Sequence, residues 1–406
     1  MNSFFQLVGF EYKKIFKRKS TVITLFIVTV LTILSTVGTL IGYHYVDGVP
    51  SESKYDAMVT DREYARALAG RPIDEDLILE AKNAYSKVPL SDRYHTTPEY
   101  DKYARQYSPI YHIVRTVYNG RESKRFDLTS MQNLSIEDIH NLYESRSTKV
   151  HDEINTKNIN NNSKEKLLKL DNKIETPFVY DYADGYMRFF AIMYTTGITV
   201  AFTIAICIAP MFAGEYTTGA DQLILSSKFG KSKLIFAKLF TSISFGSVVC
   251  IILTVLTYFE CMLIFGFDGA NAPFQLLLPL STYPLKMWQV ALIFSVCIFL
   301  GSIFATAITV LLSSKFKSPF GVIIIISIIL FAPMMINVSE TNVLLYNLFN
   351  LLPSNMMALW SVTSPILYEL FGLSIEPYIF MPIFALFITI IILPFAYRSF
   401  KNHQIN

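Results

Sequence analysis

Six long runs of apolar residues constrain this chain more than any other feature of its sequence. They occupy residues 20–44, 188–213, 239–266, 287–314, 318–339 and 377–397, and each is almost free of charged side chains. An α-helix rises ~1.5 Å per residue, so about 20 apolar residues cross the ~30 Å hydrocarbon core of a bilayer. Because backbone polar groups find no water partner in lipid, each run must be helical. The sequence therefore predicts an all-α polytopic membrane protein with six transmembrane helices.

The distribution of charge separates one polar segment from these runs. Only 17% of the residues are charged, whereas a soluble domain carries about a quarter. Between Asp47 and Asp184 lie 24 of the 32 acidic residues and 20 of the 35 basic ones. This favours a large polar domain, residues 45–187, between the first and second spans. The net charge of +3 gives no reason to expect a nucleic-acid partner.

Basic residues in the short loops predict the orientation. Segment 1–19 holds five of them, loop 214–238 four, loop 315–317 two and the tail 398–406 two, whereas loop 267–286 holds one and loop 340–376 none. With six spans, every basic loop falls on one face, which the positive-inside rule makes cytoplasmic. Both termini are then cytoplasmic and domain 45–187 is extracytoplasmic. The first run is too long for a signal-peptide core and no Ala-x-Ala site follows it, so we expect a retained span.

Helix-start signals predict that domain 45–187 is mainly helical. Pro72 with Asp74 to Asp76 predicts one helix start, followed by an apolar face from Leu77 to Tyr85. Ser135 with Asp138 predicts a second start, and Ser163 a third. Residues 155–162 are polar and predict a loop. The scattered histidines lack metal-ligand spacing, so no metal site is expected.

Two further segments have patterns typical of a membrane surface. Residues 1–19 place aromatic and aliphatic side chains at helical spacing with basic residues among them, which predicts an amphipathic helix in the cytoplasmic interface. The alternative is a frayed start of the first span. Loop 340–376 is apolar but interrupted by Pro353 and Pro365, so its pieces suit short interfacial or re-entrant helices. Gly301 and Ala305 form a small-xxx-small pair that favours close helix packing.

The loop between the second and third spans carries the functional signal. Its sequence from Phe212 is FAGEYTTGADQLILSSKFGKSKLIFAK, ending at Lys238. Gly214 is expected to end the span, and Glu215 with the following threonines to cap a new helix. Gly219 is expected to permit close approach of another backbone, and Leu223 to Leu225 to give a short helix an apolar face. We interpret this helix as a docking element. The alternative is a connector on the bilayer surface.

This stretch resembles the ABC-2 type permeases, the membrane subunits of ABC transporters. The resemblance lies in Glu-x-x-x-Gly, a Leu-rich turn, Ser-Ser, and basic residues before the next span, over about residues 205–240. It implies that residues 214–238 form the coupling helix, which fits a cleft of the ATPase subunit. The implied coupling residues are Glu215, Tyr216, Gly219, Leu223, Leu225, Ser226 and Ser227. The chain departs from the family in having Ala220 after the glycine and Phe229-Gly-Lys-Ser-Lys233 in place of a Pro-x-Ser-Arg turn.

The same resemblance implies partners and cofactors. An ABC ATPase and a second permease, identical or related, would bind this chain, and ATP with Mg²⁺ would be used by the ATPase. Gly230-Lys231-Ser232 is not a P-loop, because the phosphate cradle needs a glycine where Leu225 stands. The chain is therefore expected to be no enzyme itself and to bind no cofactor.

The expected function is export of a hydrophobic peptide, an antibiotic or a lipid-like molecule across a bacterial plasma membrane. Alternatives are a sodium-type ABC-2 exporter and a membrane-anchored sensor or scaffold whose outer domain binds a ligand. An intramembrane enzyme would need paired acids or a nucleophile with its base in the spans. Glu260 is the acid within an apolar run. It is a candidate intramembrane polar site, an interfacial side chain near the end of its span, or a partner in a structural hydrogen bond between helices.

Overall fold

The computed structural model of the protein describes residues 2–121, 124–227 and 230–403. Helices dominate it, and its strands form two short antiparallel hairpins. In chain order the elements are α1 (Asn2–Lys17), α2 (Lys19–Val37), β1 (Tyr43–Val46), β2 (Val49–Ser53), α3 (Lys54–Leu68), α4 (Glu75–Tyr85), α5 (Ser108–Tyr118), α6 (Leu128–Gln132), α7 (Ile136–His140), α8 (Leu142–Thr156), α9 (Asn161–Asp171), α10 (Asp184–Ile208), α11 (Pro210–Thr218), α12 (Ala220–Ser226), α13 (Lys233–Phe265), α14 (Met287–Lys315), α15 (Pro319–Phe331), α16 (Val343–Asn350), α17 (Leu359–Val362), β3 (Tyr368–Leu370), β4 (Leu373–Ile375) and α18 (Pro377–Lys401).

Five helical segments of the described chain are long and apolar enough to cross a membrane. They are Lys19–Leu40, Asp184–Thr218, Lys233–Phe265, Met287–Lys315 and Pro377–Lys401. The predicted span 318–339 is shorter, because α15 gives way to a 3₁₀ turn, Ala332–Met335. Pro333 lacks the N–H that would continue the α-helix. Five of the six expected spans therefore coincide with helices of spanning length and composition, and the sixth stays a prediction.

The helix bundle has two ends, which we call the terminal end and the domain end. At the terminal end, α1 and the end of α18 lie against α11, α12 and the start of α13. At the domain end lie α3 to α9 with the segments before α14 and after α15. Helix α15 starts beside Thr217, whose hydroxyl oxygen lies 2.9 Å from Lys317 O. The segment after α15 reaches Glu340, which pairs with Lys157 at 2.5 Å. Helix α15 and the segment after it thus together run from one end to the other.

Helices α10 and α14 form the centre of the bundle, and α2 and α18 lie at its periphery. Buried side chains of α10 and α14 include Ile204 and Ile298, both fully enclosed. Helix α2 turns outward, with Phe26 70% exposed, as suits a face in contact with lipid hydrocarbon. Gly185 is needed where α10 meets the end of α13, since a Cβ there would lie 2.3 Å from Gly266 O.

The apolar residues of α3 to α9 pack in clusters that also include residues of the helix bundle and of segment 340–376. Asp74 caps α4 by accepting from Leu77 N–H, and the predicted face from Leu77 to Tyr85 is buried, which confirms that helix. Ser135 caps α7 as predicted. The third predicted start is wrong, because Asn160 caps α9 and Ser163 lies inside it. The expected loop 155–162 shrinks to the four residues between α8 and α9.

Segment 340–376 contains the expected short helices, α16 and α17, and a hairpin that was not expected. Phe371 and Gly372 both have positive φ, +49° and +81°, and such a pair forms the two-residue turn that suits a β-hairpin. Between α16 and α17 the chain passes against α14. A Cβ at Gly301 would lie 3.2 Å from Met357 Cε and 3.2 Å from Pro353 O. The close contact at Gly301 is therefore with this segment and not with a neighbouring helix.

Candidate functional site

Helix α11 extends the second span into the first residues of the predicted loop 214–238. Gly214, which was expected to end the span, lies inside α11, and Glu215 lies in its last turns and not at a helix start. The prediction of a cap by Glu215 and the threonines is therefore wrong. The Thr217 and Thr218 hydroxyls instead donate to Ala213 O and Gly214 O at 2.9 and 3.0 Å, within the helix.

Gly219 forms the sharp link between α11 and α12. Its φ is +68°, in the left-handed region, and its N–H donates to Tyr216 O. A residue with a Cβ is strained in this conformation. Within the described chain no atom lies within 4 Å of the position of such a Cβ. The glycine is therefore required by the backbone turn, whereas the sequence suggested close approach of another backbone.

Glu215 belongs to an internal cluster of four charged side chains, Glu11, Lys14, Glu215 and Lys238, which we call the charge cluster. Glu215 Oε1 accepts from Lys14 Nζ and from Lys238 Nζ, both at 2.8 Å. Lys238 Nζ also donates to Glu11 Oε2 at 2.9 Å. The cluster holds two positive and two negative charges, so its members neutralise each other. It ties α1 and α11 to the first turns of α13.

Three of the four members of the charge cluster are buried, and the fourth, Lys14, is 32% exposed. Glu11 and Lys238 are 1% and 0% exposed, and Glu215 is 8% exposed. Lys238 Nζ finds a third acceptor in Met211 O at 3.0 Å, so all three ammonium hydrogens have partners. Arg18 adds a nearby cation, whose guanidinium donates to Cys207 O. Burial lowers the pKa of Arg18, and the carboxylates of Glu11 and Glu215 act in the opposite direction.

The sequence pattern did not predict the charge cluster. The amphipathic face predicted for residues 1–19 was aromatic and aliphatic, and the charges were expected to face lipid headgroups. In the structure the buried side of α1 combines Val8 and Ile15 with the acid Glu11, while Phe5 and Phe16 are exposed. An acid three residues before a lysine on the same face was the available signal.

Tyr216 connects α11 to the end of the chain. Its ring packs on Phe400 and on His403, with centroids 5.6 and 4.4 Å apart. Its hydroxyl donates to Ser314 O at 2.9 Å. His403 Nε2 lies 3.6 Å from Asp221 Oδ2, in the first turn of α12. Helix α12 is therefore held between the end of α18 and α11.

The remaining predicted coupling residues divide between the two faces of α12. Leu225 is 5% exposed and packs into the protein, whereas Leu223 is 79% exposed. Ser226 and Ser227 are exposed, and their hydroxyls donate to the backbone oxygens of Leu223 and Ile224. Lys228 and Phe229 lie outside the described residues. The outward face of α12 therefore offers one large apolar side chain beside two hydroxyls.

Glu260 lies apart from these residues, near the other end of α13. Its Oε2 accepts from Thr36 Oγ1 of α2 at 3.3 Å, and its side chain is half-buried. The structure thus places it between two helices, where it makes a hydrogen bond. In the described part of the chain no group of three or more potential ligands could hold a metal ion.

Comparison with known proteins identifies the family of the chain. The family model described as "ABC-2 family transporter protein" matches residues 19–395, nearly the whole sequence. No curated protein and no solved structure matches the chain significantly. The matched range covers four of the five apolar helices of spanning length, most of the fifth, and the α11–α12 link. The family implies an ABC ATPase as a partner. The chain therefore belongs to the ABC-2 transporter family, and it is a multi-pass membrane protein and the permease of an ABC transporter.

Proposed function

We propose that this permease belongs to an ATP-driven exporter, and that α12 docks on the ATPase while the charge cluster transmits its movement. The observation that carries the proposal is that one set of residues in and around α12 faces outward and another set holds the helix from inside. Leu223, Ser226 and Ser227 face outward, whereas Glu215, Tyr216 and Leu225 hold the helix from inside. An exposed leucine on a firmly held helix suits a hydrophobic anchor in a partner's cleft.

The contacts of the charge cluster define the proposed route of transmission. A displacement of α12 would move α11 through the Gly219 link. It would reach α13 through Glu215 and Lys238, and α1 through the same two residues and Glu11. The ATPase can shift the permease between two states only if it binds them with different affinity. The buried pairs of Lys238 with Glu11 and Glu215 favour concerted movement of the three helices, because breaking either pair leaves a buried charge poorly paired.

The wider assembly is proposed from the same family relationship. Two permeases, identical or related, would bind two ATPase subunits, which would use ATP and Mg²⁺. All six apolar helices would cross a bacterial plasma membrane, with the terminal end cytoplasmic and the α3–α9 domain outside. Helix α15 is long enough for this if the bilayer thins locally, since short spans are accommodated in that way at modest cost.

The proposed cargo is a hydrophobic peptide, an antibiotic or a lipid-like molecule. Glu260 is the acid within an apolar run and it is engaged with Thr36. The other interior polar groups of α10, α13 and α14 are mostly hydroxyls, such as Thr203, Thr257 and Ser302. An interior of this kind suits an apolar or weakly polar cargo better than a metal cation, which prefers several carboxylate or carbonyl oxygens.

The docking part of the proposal is tested by Leu223→Arg. The chain, tagged and solubilised in mild detergent, is expected to co-purify with an ABC ATPase and with ATP hydrolysis. Leu223→Arg is expected to remove both without loss of folded protein, because Leu223 is 79% exposed and surface substitutions usually change stability by less than about 0.5 kcal/mol.

The matched control is Ile136→Arg, at a site 78% exposed in the polar domain. It places the same charge at the same exposure and is expected to leave ATPase recovery unchanged. Equal ATPase recovery by Leu223→Arg and Ile136→Arg would contradict docking at α12.

A further inference from the structure

A cleft with a volume of about 540 Å³ opens in the polar domain. Its walls are the loop after α4 at residues 90–94, the second half of α5, and residues 125–129 at the start of α6. All of its lining residues lie between Leu90 and Thr129. The cleft is therefore formed by the polar domain alone, and its volume is within the usual size of a small-molecule site.

Two arginines line this cleft without a partner in the described part of the chain. Arg115 is half-buried and Arg125 is exposed, and within residues 2–121, 124–227 and 230–403 neither guanidinium forms a hydrogen bond or an ion pair. Arg71, Arg105 and Arg146 of the same domain each have a carboxylate partner. A guanidinium is a planar fork of five N–H donors that matches the geometry of a carboxylate. The two unpaired guanidiniums in one cleft therefore indicate an anionic ligand.

Local packing brings the two arginines into one site. The rings of Tyr111 and Phe126 pack with their centroids 6.1 Å apart. Arg115 follows Tyr111 by one turn of α5, and Arg125 directly precedes Phe126. Asn119 Oδ1 accepts from Phe126 N–H at 3.1 Å, which fixes the backbone of this segment. Both cations are thus attached to a pair of rings whose positions are set by packing.

The acids in the lining limit the charge that a ligand can bring. Asp127 Oδ1 accepts from the N–H and the hydroxyl of Ser130 at 2.9 and 3.0 Å. The hydrogen bonds from Ser130 hold the pKa of Asp127 below its usual range, so this carboxylate serves the start of α6. Asp92 is exposed and would oppose a second negative charge. The lining therefore favours a ligand with one negative charge over a dianionic phosphate monoester.

Apolar surface lies beside the two arginines. Leu90 lines the cleft and is 66% exposed. The half-buried ring of Tyr94 packs edge-on against Tyr111, with centroids 6.4 Å apart. Tyr111 and Phe126 are 7% and 6% exposed, so they support the wall from behind. Leu90 and Tyr94 therefore supply the accessible apolar surface, which suits an aromatic or aliphatic group.

We infer that this cleft binds a ligand with one carboxylate and an aromatic or aliphatic body. The carboxylate would lie against Arg115 and Arg125, and the body would lie on Leu90 and Tyr94. The carboxyl end of an apolar peptide and a small organic acid share this chemistry. The polar domain thus carries a recognition site of its own, which depends neither on the docking of the ATPase nor on the cargo within the bundle.

Saturation-transfer NMR on the full-length chain in detergent measures the binding, with empty micelles as the blank. Two acids are titrated, 3-phenylpropanoate and an acetylated tripeptide that ends in phenylalanine, and the amide of each is its neutral counterpart. Saturable signals are expected for the acids, and the amides should bind roughly tenfold more weakly or worse, because they lack the charge that the guanidiniums contact. Either acid as the tighter ligand supports the site, and the order of the two assigns its source to a small acid or to a peptide end.

Arg115→Gln and Arg125→Gln test the two cations. Each should raise the Kd of the acids roughly tenfold and leave the Tm of the ligand-free protein unchanged, because each guanidinium lacks a partner there. Arg71→Gln is the matched control. It removes an arginine of the same domain that lies outside the cleft and pairs with Glu80, so it should leave the Kd unchanged.

Three results would overturn the site: equal binding of the acids and their amides, no saturable binding of either acid at millimolar concentration, or a Kd in both the Arg115→Gln and the Arg125→Gln proteins equal to that of Arg71→Gln. Phenyl phosphate should bind more weakly than 3-phenylpropanoate, because Asp92 opposes its second charge. Tighter binding of phenyl phosphate would overturn the assignment to a carboxylate.

Discussion

Replacement of Lys238 by methionine tests the charge cluster most severely. Lys238 Nζ contacts Glu11 and Glu215 at 2.9 and 2.8 Å, and each contact has a gross Coulomb energy of about 6 kcal/mol at an effective dielectric constant of about 20. Desolvation of the three groups offsets most of this attraction. Removal of one partner from a buried pair nevertheless costs about 3–5 kcal/mol, because the remaining charges stay buried. Lys238→Met should therefore destabilise the protein by that amount.

The effect is measured by thermal unfolding in detergent, with the loss of monodisperse protein as the readout. A fall in Tm of roughly 3–6 °C is expected for a chain of this size. Glu215→Gln added to Lys238→Met should restore part of the loss, because Glu11 and Lys14 then remain as a balanced pair. Lys315→Met removes an exposed lysine at the same end and should change Tm little. A Lys238→Met protein as stable as Lys315→Met, or a double variant that loses the sum of both single costs, would refute the reasoning.

Two glycine substitutions provide further tests. Gly219→Ala places a Cβ at φ +68° and should lower the free energy of unfolding by about 1–2 kcal/mol. The variant should insert into the membrane normally, with a lower Tm and reduced ATPase stimulation. An unchanged Tm and ATPase rate would argue against the left-handed turn. Gly185→Ala should lower the free energy of unfolding by about 1–3 kcal/mol, since its Cβ would lie 2.3 Å from Gly266 O. Gly9→Ala in α1 is the control. Its Cβ would meet no atom within 4 Å, so it should be neutral or stabilising. Equal Tm values for the Gly185 and Gly9 variants would contradict the packing of α10 on α13.

Local signals explain the parts of the fold that the sequence predicted. The caps of α4 and α7 depend on a side chain and a backbone N–H three residues away, so Asp74 and Ser135 could be recognised from the chain alone. The long spans follow from hydropathy, which acts over about 20 adjacent residues. The start of α9 was misplaced because Asn160 and Ser163 are both good capping residues, and only the fold selects Asn160.

Contacts between distant residues explain most of what the sequence did not predict. Lys238 and Glu11 are 227 positions apart, and the pattern of α1 allowed either face to be buried. Glu215 was identified as important by resemblance, but its burial beside Lys14 and Lys238 depends on the packing of three helices. The contact of Met357 with Gly301 likewise depends on a segment that returns to the bundle. The β3–β4 hairpin was overlooked although Phe371-Gly372 is a compatible turn.

Photo-crosslinking from position 223 tests the central claim most directly. A benzophenone amino acid replaces Leu223 in one sample and Ile136 in another, and membranes from cells that express the full chain are irradiated. Mass spectrometry of the adducts should identify an ABC ATPase as the major partner at position 223 and none at position 136. Adducts from position 223 that contain lipid or an unrelated protein, with no ATPase among them, would contradict the account.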